Sequence, residues 1–586
     1  MNSLVLVILL PVVAALFGLI VYRLRNEFSF IGVVLTLYIA FRIFLTTRRY
    51  TVSYHLFNLF GQNLSLYADA LTGFILLASA FFGLCLILYS FRYIRGLLPK
   101  HQNLYHFYLI ATLAGANGLL LAKNLFLLIL FSGFLVLTSN GMLFLYKSDS
   151  RRPAQKAFII IGISYLIMFL GTLLFYYHTG QAEIVASNKI PLTDPLSITI
   201  FILLLIGILA KIGAIPFHIW IPEVSTLLPA STMAFIPVVM NNLLGFYLLT
   251  RISLFIFDLR SNLIIMYIMM AIGALTILAP VIIALGQNNL MRRLSFYSIS
   301  QVGFVILGIG TATPIGIAGG LFHMINNILY QSALFLSAGS VDFRTKTQEI
   351  NQLGGLAAKM PLTFSSFVVA TLAISAIPPL NGFFSQAMIY QGLFSLKNTG
   401  NYLFVIFIIA AILGSLLILI SSLRMNHSIF LGSRPKNLDR TIEVGFSMNV
   451  VQIILALFCI IFGVFAQVIP LNLFILPSLR SVFAVSPVIR FWSSLPTTAL
   501  MISWIVIGIL IYLFSSVLTQ KSKPVFVGGE EPDAQDKPNS GTLAYVQTKT
   551  ISILTKVNQF FRFSISAIHN YFQKVRQRRK NEKAQA

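Results

Sequence analysis

Fifteen predominantly apolar stretches of about 20 residues recur along the chain, near 4–22, 29–46, 70–91, 105–122, 125–146, 157–177, 196–222, 231–250, 262–286, 294–311, 315–340, 361–394, 402–423, 446–468 and 496–517. Each is long enough to cross a bilayer as a helix. Within hydrocarbon only helices and closed barrels satisfy their own backbone, so the sequence predicts an all-α polytopic membrane protein of 14–15 transmembrane helices. Hydrophobic residues make up 57% of 586 and charged residues 10%, which excludes a soluble globular chain. The net charge of +25 does not indicate nucleic acid, because the basic residues are spread through the loops. Arg23, Arg25, Arg92, Arg95, Lys147, Arg151, Arg292, Arg293, Arg344, Lys346 and Arg424 fall in odd-numbered loops, and the even-numbered ones carry about half as many. That bias predicts a multi-pass protein of the cell inner (cytoplasmic) membrane with its N-terminus outside and its C-terminus in the cytoplasm. The first span lacks a basic leader and a small-residue cleavage site, so it reads as a retained helix.

Lys211 is the one lysine or arginine that this reading places deep inside an apolar span, in Lys211-Ile-Gly-Ala-Ile-Pro-Phe-His-Ile-Trp-Ile-Pro222. A cation near the bilayer centre costs roughly 2.5 to 3.5 kcal/mol, so it is expected to face protein or a wet cavity. Pro216 frees a backbone carbonyl, and His218 follows on the same run. The segment reads as a broken helix lining an internal polar path. A second span, 361–394, is interrupted at Pro378-Pro379-Leu380-Asn381-Gly382. Paired interrupted spans point to inverted repeats around a midplane pathway.

Residues 47–68 alternate polar with apolar around Gly61-Gln62-Asn63, the pattern of an external β-hairpin. Val527 to Gly541 form a polar linker. Beyond it Leu554, Val557, Phe561, Ile565, Ile568, Phe572 and Val575 make one helical stripe before the basic run Lys574–Lys580. This predicts an amphipathic helix on the membrane surface, on a partner, or on the chain's own loops. The organisation is therefore 1–110, N-terminal helices with the hairpin; 111–430, a core that holds both interrupted spans and that the resemblance given below implies to be antiporter-like and proton-conducting; 431–520, C-terminal helices; and 521–586, linker and basic helix.

Four blocks carry a resemblance: Lys211–Pro222, Gln287–Gly303, Gly320–Gly339, and Leu353–Pro361 followed by Ile377-Pro-Pro-Leu-Asn-Gly-Phe-Phe-Ser385. In these the chain resembles, over about residues 60–430, the antiporter-like membrane subunits of respiratory complex I, of membrane-bound hydrogenases of the formate hydrogenlyase type, and of multisubunit sodium/proton antiporters. The resemblance implies fourteen helices in two inverted five-helix repeats, with helices seven and twelve broken at Pro216 and at Pro378 and Pro379. It also implies a midplane row of charged groups that relays protons or sodium, driven by redox chemistry in partner subunits. Its pattern calls for a glutamate on helix five, which this chain lacks: no acid lies between Asp69 and Asp149, and Gly133 stands at about the glutamate's place. Asn241 or Asn242 stands near the missing helix-eight lysine, Asn327 and Gln331 hold the second histidine and lysine positions after His323, and Gln386 follows Ser385.

What remains as a proton relay is Lys211, His218 and His323, with Asn241, Asn242, Asn327, Gln331 and Gln386 able to order water but not to carry a proton charge. No catalytic residue is expected, and neither a metal site nor a cofactor in this chain: Cys85 and Cys459 are far apart, and no metal-spaced histidine pair or nucleotide loop occurs. NADH, quinone, flavin or nickel chemistry then belongs to other membrane and peripheral subunits. The leading expectation is a membrane subunit of a proton-translocating NADH-quinone oxidoreductase-like or hydrogenase-like complex with a depleted relay. Two readings stay beside it: a subunit of a non-redox ion or inorganic-carbon transport system, and a non-conducting structural subunit.

Overall fold

The computed structural model describes residues 2–480 and 483, except 60–61, 147–150, 181–182, 184–188 and 400–401. The span expected at 496–517 and the helix expected over 554–575 lie outside the described residues.

Twelve helical segments among the described residues are long and apolar enough to cross a membrane. They begin with α1 (Ser3–Ile20), α2 (Arg25–Thr47), α3 (Ala70–Leu97), α4 (Gln102–Leu121), α5 (Leu125–Leu143) and α6 (Arg151–Thr179). The seventh joins α7 (Pro195–Ile212) to α8 (Trp220–Ser225). The eighth runs from α9 (Ala230–Met233) through a π-helical stretch, Ala234–Asn241, to α10 (Asn242–Thr250) and on to Ile256. Then come α11 (Leu263–Leu285), α12 (Leu290–Gly310), and, after the polar α13 (Pro314–Thr345) and the interrupted pair α14 (Pro361–Ile374) and α15 (Asn381–Phe394), α16 (Leu403–Asn426) and α17 (Phe446–Val464). A shorter helical segment, Gln467–Leu479, closes the described chain.

Local chemistry sets the helix starts. The side chains of Asn2, Asp69, Asn124, Asp194, Asn262, Asn289 and Thr313 each accept a backbone N–H of the first turn. Pro195, Pro314 and Pro361 occupy first-turn positions where a missing N–H costs nothing. Outside the spans, two hydrogen bonds from Ser197 hold the Asp194 carboxyl below its ordinary range. In the eighth span Pro237 has no N–H to donate, and the backbone there widens to π geometry, which resets the faces presented by Asn241 and Asn242.

Burial separates the inside of the bundle from its rim. The spanning window of α12 is wholly buried, whereas only a third of the corresponding windows of α1, α6 and α16 is. The remainder of those three is apolar surface, as a lipid-facing helix requires. Glycines bring the central helices together: a Cβ on Gly303 of α12 would lie 2.5 Å from the Gly273 carbonyl of α11. The hairpin pairs β1 (Val52–Leu59) with β2 (Gln62–Ala68), antiparallel, with an irregularity between His55 and Phe57.

One expectation needs correction. Lys211 is not the one cation inside a span: Arg251, 1% exposed, lies within the eighth, because the helix continues past residue 250 to Ile256. Its guanidinium donates to both oxygens of Asp69, at 2.8 and 2.6 Å, and to Thr72 at 2.9 Å. It also lies 4.9 Å from the Tyr247 ring and 4.5 Å from that of Phe255. Asp69 thus opens α3 as a cap and also neutralises a buried arginine.

Candidate functional site

Both interrupted spans carry polar side chains at their breaks. In the seventh, α7 ends at Gly213, whose φ of +71° favours glycine, and a short 3-10 turn, Phe217–Ile219, follows Pro216. Lys211 sits in the last turn of α7, half-buried, and His218 is half-buried in the 3-10 turn. The structure does not join the two: no hydrogen bond or ion pair of Lys211 occurs among the described residues, and His218 Nδ1 is buried without a hydrogen-bond partner among them. The nearest acid in sequence, Glu223, pairs with Lys156 instead. Gly133 of α5, at the position of the expected glutamate, faces Tyr165 of α6: a Cβ there would stand 3.1 Å from the phenol oxygen.

The chain breaks between Ile374 of α14 and Asn381 of α15, and this break forms the wall of a buried polar cluster. His323 of α13 is completely buried. Its Nδ1 is 3.0 Å from Ser385 Oγ of α15, and its Nε2 is 3.0 Å from Gln301 Oε1 of α12. Tyr330, two turns along α13, donates its hydroxyl to the same Gln301 oxygen at 2.7 Å. Ser385 Oγ is also 3.1 Å from the Gly382 carbonyl, one turn back on α15. Asn326 and Asn381 lock α13 to the break through paired amide contacts of 2.9 and 3.0 Å.

Protonation states follow from this inventory. With a neutral ring, Nε2–H donates to the Gln301 oxygen and Nδ1 accepts the Ser385 hydroxyl. With a cationic ring, Nδ1–H donates to Ser385 Oγ, and the hydroxyl turns to the Gly382 carbonyl. Either form of the ring can make both hydrogen bonds, by rotation of one hydroxyl, while burial among neutral partners favours the neutral ring.

Spacings of three and four place His323, Asn326, Asn327, Tyr330 and Gln331 on one stripe of α13. Asn327 and Gln331 are fully buried, and no protein group among the described residues reaches their amides. The same holds for both amide atoms of Asn242 and for Asn241 Nδ2 on the eighth span. Gln386 receives Tyr390 at 3.0 Å and Ser415 at 2.6 Å, while its Nε2 is unmatched. Buried amides are hydrogen-bonded as a rule, so this stripe has the chemistry to hold water. Gln301, Tyr330 and Ser385 escaped the sequence reading, although each stands in one of the blocks that carry the resemblance and Tyr330 lies on the His323 face. His106 of α4, buried with neither ring nitrogen hydrogen-bonded among the described residues, carried no signal in sequence.

Residues 122–417 match the family described as NADH:quinone oxidoreductase/Mrp antiporter, TM. The chain belongs to this family. Na(+)/H(+) antiporter subunit A1 of Staphylococcus saprophyticus is 30% identical over 504 residues, covering 80% of this chain and 62% of the relative. Hydrogenase-4 component B of Escherichia coli (strain K12) is 28% identical over 426 residues, covering 69% and 63%. NADH-quinone oxidoreductase subunit N of Desulforudis audaxviator is 28% identical over 431 residues, covering 70% and 83%. The chain thus spans less than two thirds of the length of the first two of these relatives. Among solved structures, a chain of the membrane-bound sulfane sulfur reductase, an archaeal respiratory membrane complex, superposes with a TM-score of 0.75 at 25% identity, covering 92% of this chain and 88% of that one. A chain of the Mrp complex from Dietzia sp. DQ12-45-1b gives 0.73 at 19%, covering 82% and 98%, and shows the same fold. Family and spans together make this a multi-pass integral membrane protein of antiporter-like type.

Proposed function

We propose that the chain is an antiporter-like membrane subunit of a multisubunit, redox-linked ion-translocating complex, and that it carries protons over a reduced relay of Lys211, His218 and His323. The observation that carries this reading is the His323 cluster, whose hydrogen bonds can be made by a neutral or by a cationic ring. A proton arriving at Nδ1 is taken up as Ser385 rotates, and one leaving by Nε2 has Gln301 and Tyr330 beside it. Asn241, Asn242, Asn327, Gln331 and Gln386 order the water that connects the stations. Lys211 and His218 form the station at the other break, where the lysine serves without a carboxylate.

Relatives named as subunits of hydrogenase-4, of NADH-quinone oxidoreductase and of a Na(+)/H(+) antiporter support partners of these kinds. Redox cofactors then belong to the partner chains, and none to this one. We assign the conducting part to residues 111–430, flanked by helices in 1–110 and 431–520, with 521–586 as a docking or surface element. The basic loops support an N-terminus outside and a C-terminus inside. Proton uptake into vesicles holding the purified complex tests the reading: replacing His323 is expected to slow it while the complex stays assembled.

One observation favours a second reading, a non-conducting structural subunit. Asp69, the acid placed inside the bundle, is consumed by Arg251, and Lys211 has no acid among the described residues. Under that reading Lys211 and His323 variants leave coupled activity unchanged, while deletion of the chain destroys assembly.

A further inference from the structure

Two cavities follow one another along α2 and the segment Gln467–Leu479, each lined by residues of both. The first, of about 200 Å³, is walled by apolar side chains, among them Leu37 of α2, Phe74 and Phe81 of α3, Phe458 and Phe462 of α17, and Phe474. The second, of about 710 Å³, is lined by Arg42, Arg48, Arg49, Tyr50, Pro477 and Arg480. The same two elements wall both, since α2 supplies Leu37 and then Arg42, and the closing segment supplies Phe474 and then Pro477. Phe44 lies between residues of the two: its ring is 5.2 Å from that of Phe474 of the first, and the Arg48 guanidinium of the second lies 5.9 Å above it.

Charge and location decide what suits these two cavities. None of the four arginines forms an ion pair among the described residues, and Arg42, Arg49 and Arg480 are exposed. Four guanidiniums lining one cavity repel one another unless an anion lies between them, and their planar forks match phosphate oxygens. The adjoining cavity offers nothing polar. A free phosphate uses only the arginines, and an acidic peptide leaves the phenylalanines uncovered. An anionic lipid matches both halves at once.

We propose that the two cavities together are a binding site for an anionic phospholipid, with its phosphate held by Arg42, Arg48, Arg49 and Arg480 and an acyl chain in the phenylalanine-walled cavity. The arginines lie away from the polar stripe, and the apolar cavity reaches α13 only through Ile325 and Leu329, so the proposal does not depend on whether the chain conducts.

The test is lipid retention by the full chain in its complex, purified from membranes in mild detergent, with bound lipids identified by mass spectrometry. The wild type is expected to keep an anionic phospholipid through purification in preference to phosphatidylcholine. Joint replacement of the arginines, Arg42→Gln, Arg48→Gln, Arg49→Gln and Arg480→Gln, is expected to lower that retention by about tenfold or more. Leu37→Trp, which fills the apolar cavity and leaves the arginines intact, is expected to do the same. Thermal unfolding in lipid-free detergent separates a misfolded variant from one that has lost only its lipid. Unchanged retention in either variant overturns the proposal. So does displacement of the lipid by millimolar inorganic phosphate, which marks a simple anion site, or a wild type without anionic lipid because the acidic stretch Glu530–Asp536 or a partner covers the arginines.

Discussion

The Asp69 carboxylate grips the Arg251 guanidinium through two hydrogen bonds of 2.8 and 2.6 Å, joining the start of the third span to the end of the eighth. Arg251 is 1% exposed, so losing its partner strands a charge. Asp69→Asn is therefore expected to destabilise the protein by about 3–5 kcal/mol. The double variant Asp69→Leu/Arg251→Met, which removes both charges, is expected to recover most of that loss. Thermal unfolding of the purified protein measures both, and equal losses would show that the pair is not the cause.

At the second break, a Cβ on Gly463 of α17 would lie 2.1 Å from the Pro379 carbonyl. Backbone cannot yield as a flexible side chain does, so Gly463→Ala is expected to cost about 1–3 kcal/mol and to disturb the Asn326–Asn381 lock. Gly162→Ala makes the control: nothing lies within 4 Å of that position, and the change is expected to be neutral or to stabilise α6 by up to about 1 kcal/mol. The unfolding temperatures of the two variants, side by side, check the packing at the break.

Ser385 is the group that changes role when His323 gains a proton. Ser385→Ala removes the Nδ1 partner from the cationic form but costs the neutral form a single hydrogen bond. Hydrogen bonds to charged groups contribute about 1.5–3 kcal/mol, so proton uptake is expected to slow by about tenfold to a hundredfold with little change in the amount of assembled complex. Ser385→Thr keeps the hydroxyl and is expected to restore much of the rate. A slow Ser385→Thr and a slow Ser385→Ala alike would assign the residue to packing.

Apolar runs of bilayer length made the helices legible, and Pro216 with Pro378-Pro379 marked both breaks, because proline chemistry acts locally. The alternation around Gly61 likewise gave the hairpin strands. The Asp69–Arg251 pair joins residues 182 positions apart, and nothing short of the fold brings them together. Residue 251 also fell outside its predicted span, since the helix continues through a second π stretch, Arg251–Ile256, that periodicity does not register. Around His323, the spacing along α13 exposed Asn327 and Gln331, yet Gln301 and Ser385 come from two other helices and needed tertiary packing. Lys211 and His218 show the reverse: adjacent in the motif, they are not hydrogen-bonded to each other, because the chain changes direction between Gly213 and Phe217.

The most direct test of the conducting account is proton uptake into vesicles that hold the purified complex, driven by its own electron donor, for wild type, Lys211→Ala and His323→Gln. Either substitution removes a titratable station that the amides cannot replace, and uptake is expected to fall by about a hundredfold while electron transfer and subunit composition persist. Wild-type uptake in both variants would contradict the account and leave the chain a structural subunit.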